Sequence, residues 1–381
     1  MSELDELRKQ IDDIDKSIVQ LYEKRLGIVE KVAEFKKNNH TSVLQQNREL
    51  EVLKNAENCL ANKNYAGQAR DLMQAIMDIS KDYQRIKINQ YPSFDFEKTP
   101  FLSSAKKGFF GEKGSNTWQA MADMFGDDNG SQFDSFEGIF EAINNGDITY
   151  GILPIENSST GAIVDVYDLL KKFDFYIIGE RWQRIEHQLF GVEGASIDDI
   201  DTVFSHAQAI NQCDEFFKGK NIQLTSYKST AGSAKFVAQS NNKKWGAIAS
   251  DGVGKLHGLQ VLKKNIQNNS ENFTRFIVVS KTLCDENCTM SGKPCNKVSI
   301  VFDLQNIPSS LYNTLRCFSK LNINLIKIES RPVKNNPCNY YFFVDIDGNL
   351  QNKDIEIALD FVKQSSDYFK FLGEYTKGEI V

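Results

Sequence analysis

A cation interrupts an otherwise apolar helical face near the start of the chain. Apolar side chains recur there at alternating intervals of three and four residues, and one position in the series is an arginine: Leu4, Leu7, Ile11, Ile14, Ile18, Leu21, Arg25, Ile28, Val32, Phe35. Such spacing places all ten side chains on one face of a helix. Burying a lone guanidinium costs several kcal/mol, so Arg25 should meet either a carboxylate of another helix or a bound anion.

Other polar residues fall at apolar positions in the same region. Lys36 lies three helical turns beyond Arg25 and shares its face, whereas Arg8 lies about 25 Å before Arg25 along the helix axis. One small ligand cannot contact both arginines of one helix, but Arg8 of a second copy could reach the site. Further polar residues belong to two later helices: Arg48, Glu49, Ser80 and Gln84. A pocket with four cations suits a small dianion, and structural salt bridges are the alternative.

Polar turns recur in the middle of the chain at the ends of predicted strands. In the clearest, 153–161, a strand ends at Pro154 and the following helix start would favour an anion. A well-capped structural turn is the alternative. The remaining turns are 111–115, 205–208, 229–233 and 272–276. Polar groups that converge at strand ends are how α/β clefts build ligand sites.

Composition limits the class of protein. The 381 residues are 41% hydrophobic and 25% charged with a net charge of −6, which predicts a soluble globular chain of two to four domains without nucleic acid as a partner. No apolar run reaches the ~20 residues of a membrane span. The charged start lacks a signal-peptide core, so we predict a cytoplasmic protein with reduced cysteines. Cys284, Cys288 and Cys295 lack a paired second half, which favours a polar linker over a zinc site.

Proline and glycine mark the domain boundaries. Only Gly27 and Gly67 occur before Gly108, and no proline precedes Pro92. Residues 1–90 are therefore predicted to be all-α, with helices at about 4–38, 44–60 and 67–87. After a linker at 91–105, strands and helices alternate over 106–281, which predicts an α/β domain. After a second linker at 282–296, the β-α-β-β-α-β order of 297–381 predicts a ferredoxin-like α+β fold.

The length of the first helix predicts an oligomer. A helix over 4–38 would be about 50 Å long. Two shorter helices cannot cover its whole apolar face in a compact monomer. A second copy of the chain would cover the rest, giving a helical homodimer or a higher homo-oligomer.

The polar residues of the helical domain resemble the active-site set of the all-helical, dimeric chorismate mutases. The matching positions are Arg8, Arg25, Lys36, Arg48, Glu49, Ser80 and Gln84, and Gln45 stands where several relatives have aspartate. The resemblance implies rearrangement of chorismate to prephenate at a site shared between two subunits. Arg8 of the other subunit, Arg25 and Arg48 would bind the carboxylates. Lys36 and Gln84 would donate hydrogen bonds to the ether oxygen.

The five polar turns, in their order, resemble prephenate dehydratase, most specifically at 156–161 and 272–276. The resemblance implies two α/β lobes of the type II periplasmic-binding-protein fold, with the second lobe at about 186–261. Prephenate would lose carbon dioxide and its ring hydroxyl to give phenylpyruvate, without a metal or organic cofactor because aromatisation drives the reaction. Thr274 would help the hydroxyl leave. Substrate would be positioned by Asn157, Thr160, Ser205, His206, Ser229, Thr230 and Arg275.

The last domain resembles the ACT domain of phenylalanine-sensitive dehydratases through residues 329–332 and 340–345. Such domains pair and bind phenylalanine as an effector at their interface. The residues implied are Ser309, Leu311, Glu329, Ser330 and Arg331; the two serines at 309 and 310 stand where the family usually has glycine and alanine. As a whole the chain resembles the bifunctional chorismate mutase/prephenate dehydratases. The alternatives are an enzyme that prefers arogenate and a ligand-sensing, non-catalytic binding protein.

Overall fold

A computed structural model describes residues 2–39, 46–88, 94–285, 289–333 and 336–380. The chain divides into two compact units, Met1–Ser93 and Phe94–Val381. None of the helices described has an apolar stretch long enough to cross a membrane.

The first unit is helical, as predicted. Its α-helices are α1 (Glu3–Asn38), α2 (Gln46–Cys59) and α3 (Ala66–Ile88). Ser2 begins α1 with a capping box: its hydroxyl accepts from the Asp5 backbone N–H, and the Asp5 carboxylate accepts from the Ser2 N–H. At 36 residues, α1 extends about 54 Å. Gln45, which departs from several relatives, lies outside the described residues.

The face of α1 that is buried within this chain differs from the predicted apolar face. Val29, Ala33 and Lys36 are the buried residues of α1, and they form a stripe against α3. The nine apolar residues of the predicted face are instead 40–65% exposed in the single chain. Arg25 lies between the two stripes, because a helix turn places position 25 next to both 21 and 29.

The second unit combines helices and strands. Its α-helices are α4 (Asn116–Phe125), α5 (Phe136–Asn145), α6 (Val164–Lys172), α7 (Ala207–Asn211), α8 (Asp214–Phe217), α9 (Thr230–Ser240), α10 (Asp251–Leu256), α11 (Ser310–Lys320) and α12 (Lys353–Ser365). Its first strands are β1 (Lys98–Thr99), β2 (Lys107–Phe110), β3 (Ser131–Phe133), β4 (Tyr150–Asn157), β5 (Gly161–Ala162), β6 (Tyr176–Arg184), β7 (Gln188–Gly191), β8 (Thr202–Ser205) and β9 (Gln223–Ser226). The remaining strands are β10 (Trp245–Ala249), β11 (Gln260–Lys263), β12 (Phe273–Ser280), β13 (Leu283–Cys284), β14 (Lys297–Leu304), β15 (Leu325–Val333), β16 (Asn336–Asp347) and β17 (Phe369–Tyr375).

Two mixed sheets form two lobes. The sheet of the first lobe has the order β3-β2-β4-β12-β6, with β5 paired to β4. The sheet of the second lobe has the order β11-β7-β10-β8-β9. The chain passes to the second lobe after β6 and returns before β12, so two crossings connect the lobes.

A four-stranded antiparallel sheet forms the C-terminal domain. Its order is β15-β16-β14-β17, and α11 and α12 complete the β-α-β-β-α-β arrangement predicted from the sequence. This domain packs on the first lobe, where β17 meets β6. Gly373 permits this approach, because a Cβ atom there would overlap the carbonyl oxygen of Ile177.

The predicted linkers are more ordered than expected. Phe96 stacks on Phe371 of the C-terminal domain with ring centroids 4.3 Å apart, and β1 pairs with β13. The segment from Phe94 onward is thus part of the second unit, because its aromatic side chains have apolar partners. In the second predicted linker Cys284 and Cys295 are buried, while Cys288 lies outside the described residues.

Candidate active sites

The helical unit contains a cluster of buried polar residues. Arg25 donates to the hydroxyl of Ser80 on α3, and Ser80 donates to the Ile76 carbonyl oxygen at 2.6 Å. Ser80, Lys36 and Gln84 are 3%, 8% and 7% exposed. Among the described residues no carboxylate forms an ion pair with Arg25. A salt bridge to a neighbouring helix, the structural alternative for Arg25, is therefore not present among the described residues of this unit.

Lys36 and Gln84 are both affected by burial in this cluster. Burial lowers the pKa of Lys36 below its ordinary value, and the nearby charge of Glu49 offsets only part of that effect. The side-chain oxygen of Gln84 is buried with no hydrogen-bond partner among the described residues. Buried polar atoms in proteins are nearly always satisfied, so an unpaired amide oxygen indicates a place where a ligand or water binds.

Glu49 and Arg48, the two predicted residues on α2, form ion pairs with different partners. Glu49 pairs with Lys81 at 3.0 Å, and Lys81 also contacts Asp78 at 3.3 Å. Sequence reasoning missed Lys81, although its position directly after Ser80 was a usable signal. Arg48 is largely exposed and pairs with Glu51 at 2.6 Å. It does not join the buried group in this structure.

Arg8 is not brought to the cluster within one chain. Its side chain is 67% exposed, and its closest carboxylate oxygen, on Asp5, is 4.0 Å away. The distance along α1 from Arg8 to Arg25 is about 25 Å, as the sequence predicts.

In the second unit, Asn157 and Thr274 form the centre of a hydrogen-bonded network. The two residues are direct neighbours across β4 and β12, and both are less than 9% exposed. The Asn157 amide N–H₂ donates to Thr274 Oγ1 at 2.9 Å and to Asn272 Oδ1 at 2.8 Å. Because Thr274 Oγ1 accepts this hydrogen bond, its own proton is free to point toward a ligand.

The turn after β4 closes onto the same asparagine. Asn157 Oδ1 accepts from the backbone N–H of Ser159 at 3.0 Å and of Thr160 at 3.1 Å. Asn272, which is 2% exposed, also accepts from the Ser159 hydroxyl at 3.2 Å. Asn272 is a second residue that sequence reasoning did not select, although it begins the 272–276 stretch. It fixes the amide of Asn157, and through it the hydroxyl of Thr274.

The predicted residues of the second lobe lie at strand ends and helix starts. Ser205 is fully buried, and its hydroxyl donates to the Ile248 carbonyl oxygen at 2.8 Å. His206 precedes α7 and accepts from the Gln208 N–H through Nδ1. Ser229 precedes α9, immediately before Thr230, and donates across the lobes to Glu112 at 3.4 Å. Ser205 therefore supports the backbone here, while Ser229 links the two lobes.

A cavity of about 660 Å³ lies between the lobes. Its lining includes Gly114, Gln119, Gln183, Arg184, Ser250 and Lys255. Gln183 lies directly across the strand ladder from Thr274, so one lining residue of the cavity is a neighbour of the Asn157–Thr274 network, whose own residues do not line the cavity.

Arg275 does not join this network, contrary to the sequence prediction. It is 2% exposed, and its guanidinium pairs with Glu180 and with Asp345 of the C-terminal domain, each at 2.7 Å. Successive side chains of a strand point to opposite faces, so Arg275 faces away from the cleft that Thr274 faces. We therefore exclude Arg275 from the substrate contacts. It is also not the exposed arginine that a strand start usually contains.

Two family patterns divide the chain where its units divide. The pattern of chorismate mutase type II matches residues 7–85, within the helical unit. The pattern of prephenate dehydratase matches residues 108–283, which span both lobes.

Similarity to one relative extends along nearly the whole chain. The bifunctional chorismate mutase/prephenate dehydratase of Enterobacter agglomerans is 30% identical over 98% of this chain and 96% of its own length. The chain belongs to this bifunctional family. It is thus an enzyme of the chorismate mutase and prephenate dehydratase class.

Relatives of the second unit alone are also similar. An arogenate dehydratase of Petunia hybrida is 33% identical over 64% of each chain. The crystal structure of a prephenate dehydratase from Arthrobacter aurescens, solved in complex with L-Phe, has a TM-score of 0.65 and is 26% identical over 72% of this chain and 91% of that one. The match to the Enterobacter agglomerans relative, over 98% of this chain, extends beyond the two family patterns.

Within this family member, the predicted effector residues lie at the start of a helix and on an edge strand of the C-terminal domain. Ser309 precedes α11 in a left-handed conformation with φ of 67°, a region in which a residue with a Cβ atom is strained. Glu329, Ser330 and Arg331 lie on β15, an edge strand. Leu311 is 39% exposed. A glycine at this position would lack this strain.

Proposed function

We propose that this chain rearranges chorismate to prephenate in its helical unit and converts prephenate to phenylpyruvate between its two lobes. Phenylalanine, the amino acid that phenylpyruvate precedes, would regulate the second step through the C-terminal domain. The supporting observation is that one chain contains two unlike polar centres: a buried lysine and a half-buried arginine on helices, and an asparagine-held hydroxyl on a sheet.

The mutase step needs a site that holds a flexible dicarboxylate in its reactive shape. No nucleophile or proton transfer is required, so orientation and electrostatics supply the rate enhancement. Arg25 binds one carboxylate and is held by Ser80, and Arg48 swings from its exposed position to the second. Lys36 and Gln84 donate hydrogen bonds to the ether oxygen, where negative charge grows as its bond to carbon breaks. Glu49, held by Lys81, fixes a substrate hydroxyl.

The mutase site is completed by a second copy of the chain. The exposed apolar face of α1 runs from Leu4 to Phe35, far beyond what a soluble monomer usually leaves open. Pairing two such faces in a homodimer buries both. An antiparallel partner helix also supplies the Arg8 that its own chain cannot bring to Arg25.

The dehydratase step needs a hydrogen-bond donor to the leaving hydroxyl and fixed positions for two carboxylates. A threonine hydroxyl is too weak an acid to act alone, so Thr274 donates a hydrogen bond rather than a free proton. Asn157 holds its oxygen. The helix starts at His206 and Thr230 offer backbone N–H donors to the substrate carboxylates.

Regulation by phenylalanine would use the C-terminal sheet. Ser309, Leu311 and residues 329–331 would contact the effector when two C-terminal domains pair. Ser309 is strained in this structure, and contact with the effector would change that strain. Arogenate as the substrate of the second step is retained as an alternative because of the plant relative.

A coupled assay tests these assignments. Purified protein is given chorismate, prephenate or arogenate, with and without phenylalanine, and each product is followed separately. We expect chorismate to yield prephenate and then phenylpyruvate. Thr274→Ala should abolish the second step and leave the first intact, whereas Thr274→Ser should retain part of it. Equal loss of both activities in Thr274→Ala would contradict two separate sites.

A further inference from the structure

On each of two neighbouring strands, a residue of the Asn157–Thr274 network is followed or preceded by a charged residue. The charged residue points to the opposite face of the sheet. On β4, Asn157 follows Glu156, and on β12, Thr274 precedes Arg275. Across the ladder Asn157 pairs with Thr274, and Glu156 pairs with Arg275. Alternation along a strand sends the first pair toward the cleft and the second pair toward the C-terminal sheet.

The pair that faces the C-terminal sheet is held by buried charges. Arg275 contacts Glu180 on β6 and Asp345 on β16, each at 2.7 Å, and donates to the Tyr375 hydroxyl at 3.0 Å. Lys297 on β14 reaches the same Glu180 carboxylate at 2.7 and 2.9 Å. All five residues are less than 9% exposed. A buried charge tolerates displacement poorly, because losing one partner leaves the other uncompensated.

The charges within this group reinforce one another. Burial alone would lower the pKa of Arg275, but the negative charges of Asp345 and Glu180 raise it well above the ordinary value. Burial alone would raise the pKa of Asp345, but the charges of Arg275 and Lys297 lower it. The pair is thus ionised throughout the physiological pH range.

A second connection leads to the strand of the predicted effector residues. Glu156 contacts Lys327 on β15 at 2.6 Å, and it lies 3.7 Å from Arg275. Lys327 is two residues before Glu329, so its side chain and that of Glu329 share one face of β15. The C-terminal sheet therefore contacts the backs of both strands that bear the Asn157–Thr274 network.

The pairing of β12 with β4 is irregular beside Arg275. Its register shifts between Arg275 and Phe276, whereas β12 pairs with β6 without a shift from Phe273 to Val278. A bulge interrupts the regular hydrogen bonds and allows local bending. The ionic contacts of Arg275 and Glu156 therefore add a constraint on the β4 side of β12, where the ladder is interrupted.

We infer that Arg275 and Glu156 are positioning residues, through which the C-terminal sheet holds Thr274 and Asn157 in their working geometry. This inference rests on the proposed dehydratase function and assigns a role to residues outside the cleft. The C-terminal domain is then a structural part of the dehydratase centre. A shift of β15 or β16 moves the network, because Asp345 and Lys327 cannot move without Arg275 and Glu156.

The test uses the full chain with changes confined to the C-terminal domain. Asp345→Asn removes the charge that faces Arg275, Asp345→Glu retains it, and Lys327→Met removes the partner of Glu156. Glu356→Gln is the matched control, because Glu356 is a buried carboxylate of the same domain, paired with Lys353 at 2.7 Å. Mutase activity of each preparation reports the amount of active enzyme, and thermal unfolding reports stability.

We expect Asp345→Asn to lower dehydratase kcat about 10- to 100-fold, as for a sub-ångström to 1 Å misplacement of a reacting group. KM should stay within about threefold, because Thr274 acts on the leaving hydroxyl in the transition state. Asp345→Glu should retain more kcat than Asp345→Asn. Lys327→Met should lower kcat by a smaller factor, and Glu356→Gln should leave it unchanged.

Several outcomes would overturn the inference. A merely structural role would lower the unfolding temperature and leave kcat of the folded enzyme within about twofold of the unmodified chain. A loss of kcat in Asp345→Asn no larger than that in Glu356→Gln would also show that Asp345 has only a structural role. If Asp345→Asn does not fold, Lys327→Met decides, because Lys327 is partly exposed. An unmodified chain without dehydratase activity would instead contradict the proposed function.

Discussion

Replacing Gln84 by glutamate changes a hydrogen-bond donor into an acceptor with almost no change in volume. Gln84 is 7% exposed on α3, one helical turn after Ser80, and in the proposed mechanism its amide donates to the ether oxygen. An ionised glutamate cannot donate, and it adds negative charge where negative charge develops in the transition state. We expect mutase kcat near neutral pH to fall about 10²- to 10³-fold, roughly 3–4 kcal/mol of transition-state stabilisation.

The loss in Gln84→Glu should depend on pH with a defined sign. The carboxylic acid form can donate, and the ordinary pKa of glutamic acid is about 4.3. Burial raises the pKa of the introduced carboxyl, while nearby cations lower it. Above that pKa, each unit of decreasing pH increases the protonated fraction about tenfold, so kcat should rise about tenfold per unit. The unmodified amide does not titrate, so the unmodified enzyme should lack this rise.

Steady-state consumption of chorismate between neutral and mildly acidic pH measures this effect. Gln68→Glu is the matched control, because it introduces the same charge at an exposed position of α3. The control should keep the activity of the unmodified enzyme at each pH. A Gln84→Glu enzyme with a flat pH profile and near-normal kcat would refute the role of Gln84 as a donor.

Further changes in the helical unit have defined outcomes. Lys36→Ala should lower mutase kcat by about 100-fold or more. Lys37→Ala, at the exposed next residue, should leave mutase kcat unchanged. Equal effects of the two substitutions would contradict the role of Lys36 as a donor to the ether oxygen. Burial lowers the pKa of Lys36 below 10.5. Mutase kcat/KM should therefore fall as the pH rises through this lowered pKa and Lys36 loses its proton. Lys36→Arg should shift that fall in kcat/KM to higher pH. Ile14→Asp, on the exposed face of α1, should reduce the particle mass in sedimentation and abolish mutase but not dehydratase activity. A dimeric Ile14→Asp enzyme with full mutase activity would contradict the shared site.

The elements of the fold follow from the sequence because their signals are local. The absence of proline and near-absence of glycine before residue 92 predicted the helical unit, and polar turns predicted the strand ends of both lobes. The face of α1 that packs on α3 was not predictable in the same way. Two stripes on α1 have apolar residues, and only the positions of α2 and α3 decide which is covered.

The candidate sites divide along similar lines. Arg25, Ser80, Asn157 and Thr274 could be selected because their types and neighbours were unusual for their elements. Arg275 was misassigned, because the direction of a strand side chain depends on which face of the sheet meets another domain. Asn272 and the buried charges on the C-terminal sheet were not predicted, because their partners are distant in sequence.

In the proposed homodimer, each mutase site takes Arg25 from one chain and Arg8 from the other. Mixed dimers of Arg8→Ala and Arg25→Ala chains test it directly. Each variant alone should lack mutase activity, because every site lacks one arginine. Co-expression gives mixed dimers in which one of the two sites is intact, so random pairing should restore about a quarter of the unmodified mutase activity. A co-expressed mixture as inactive as its two parents would contradict a site shared between chains.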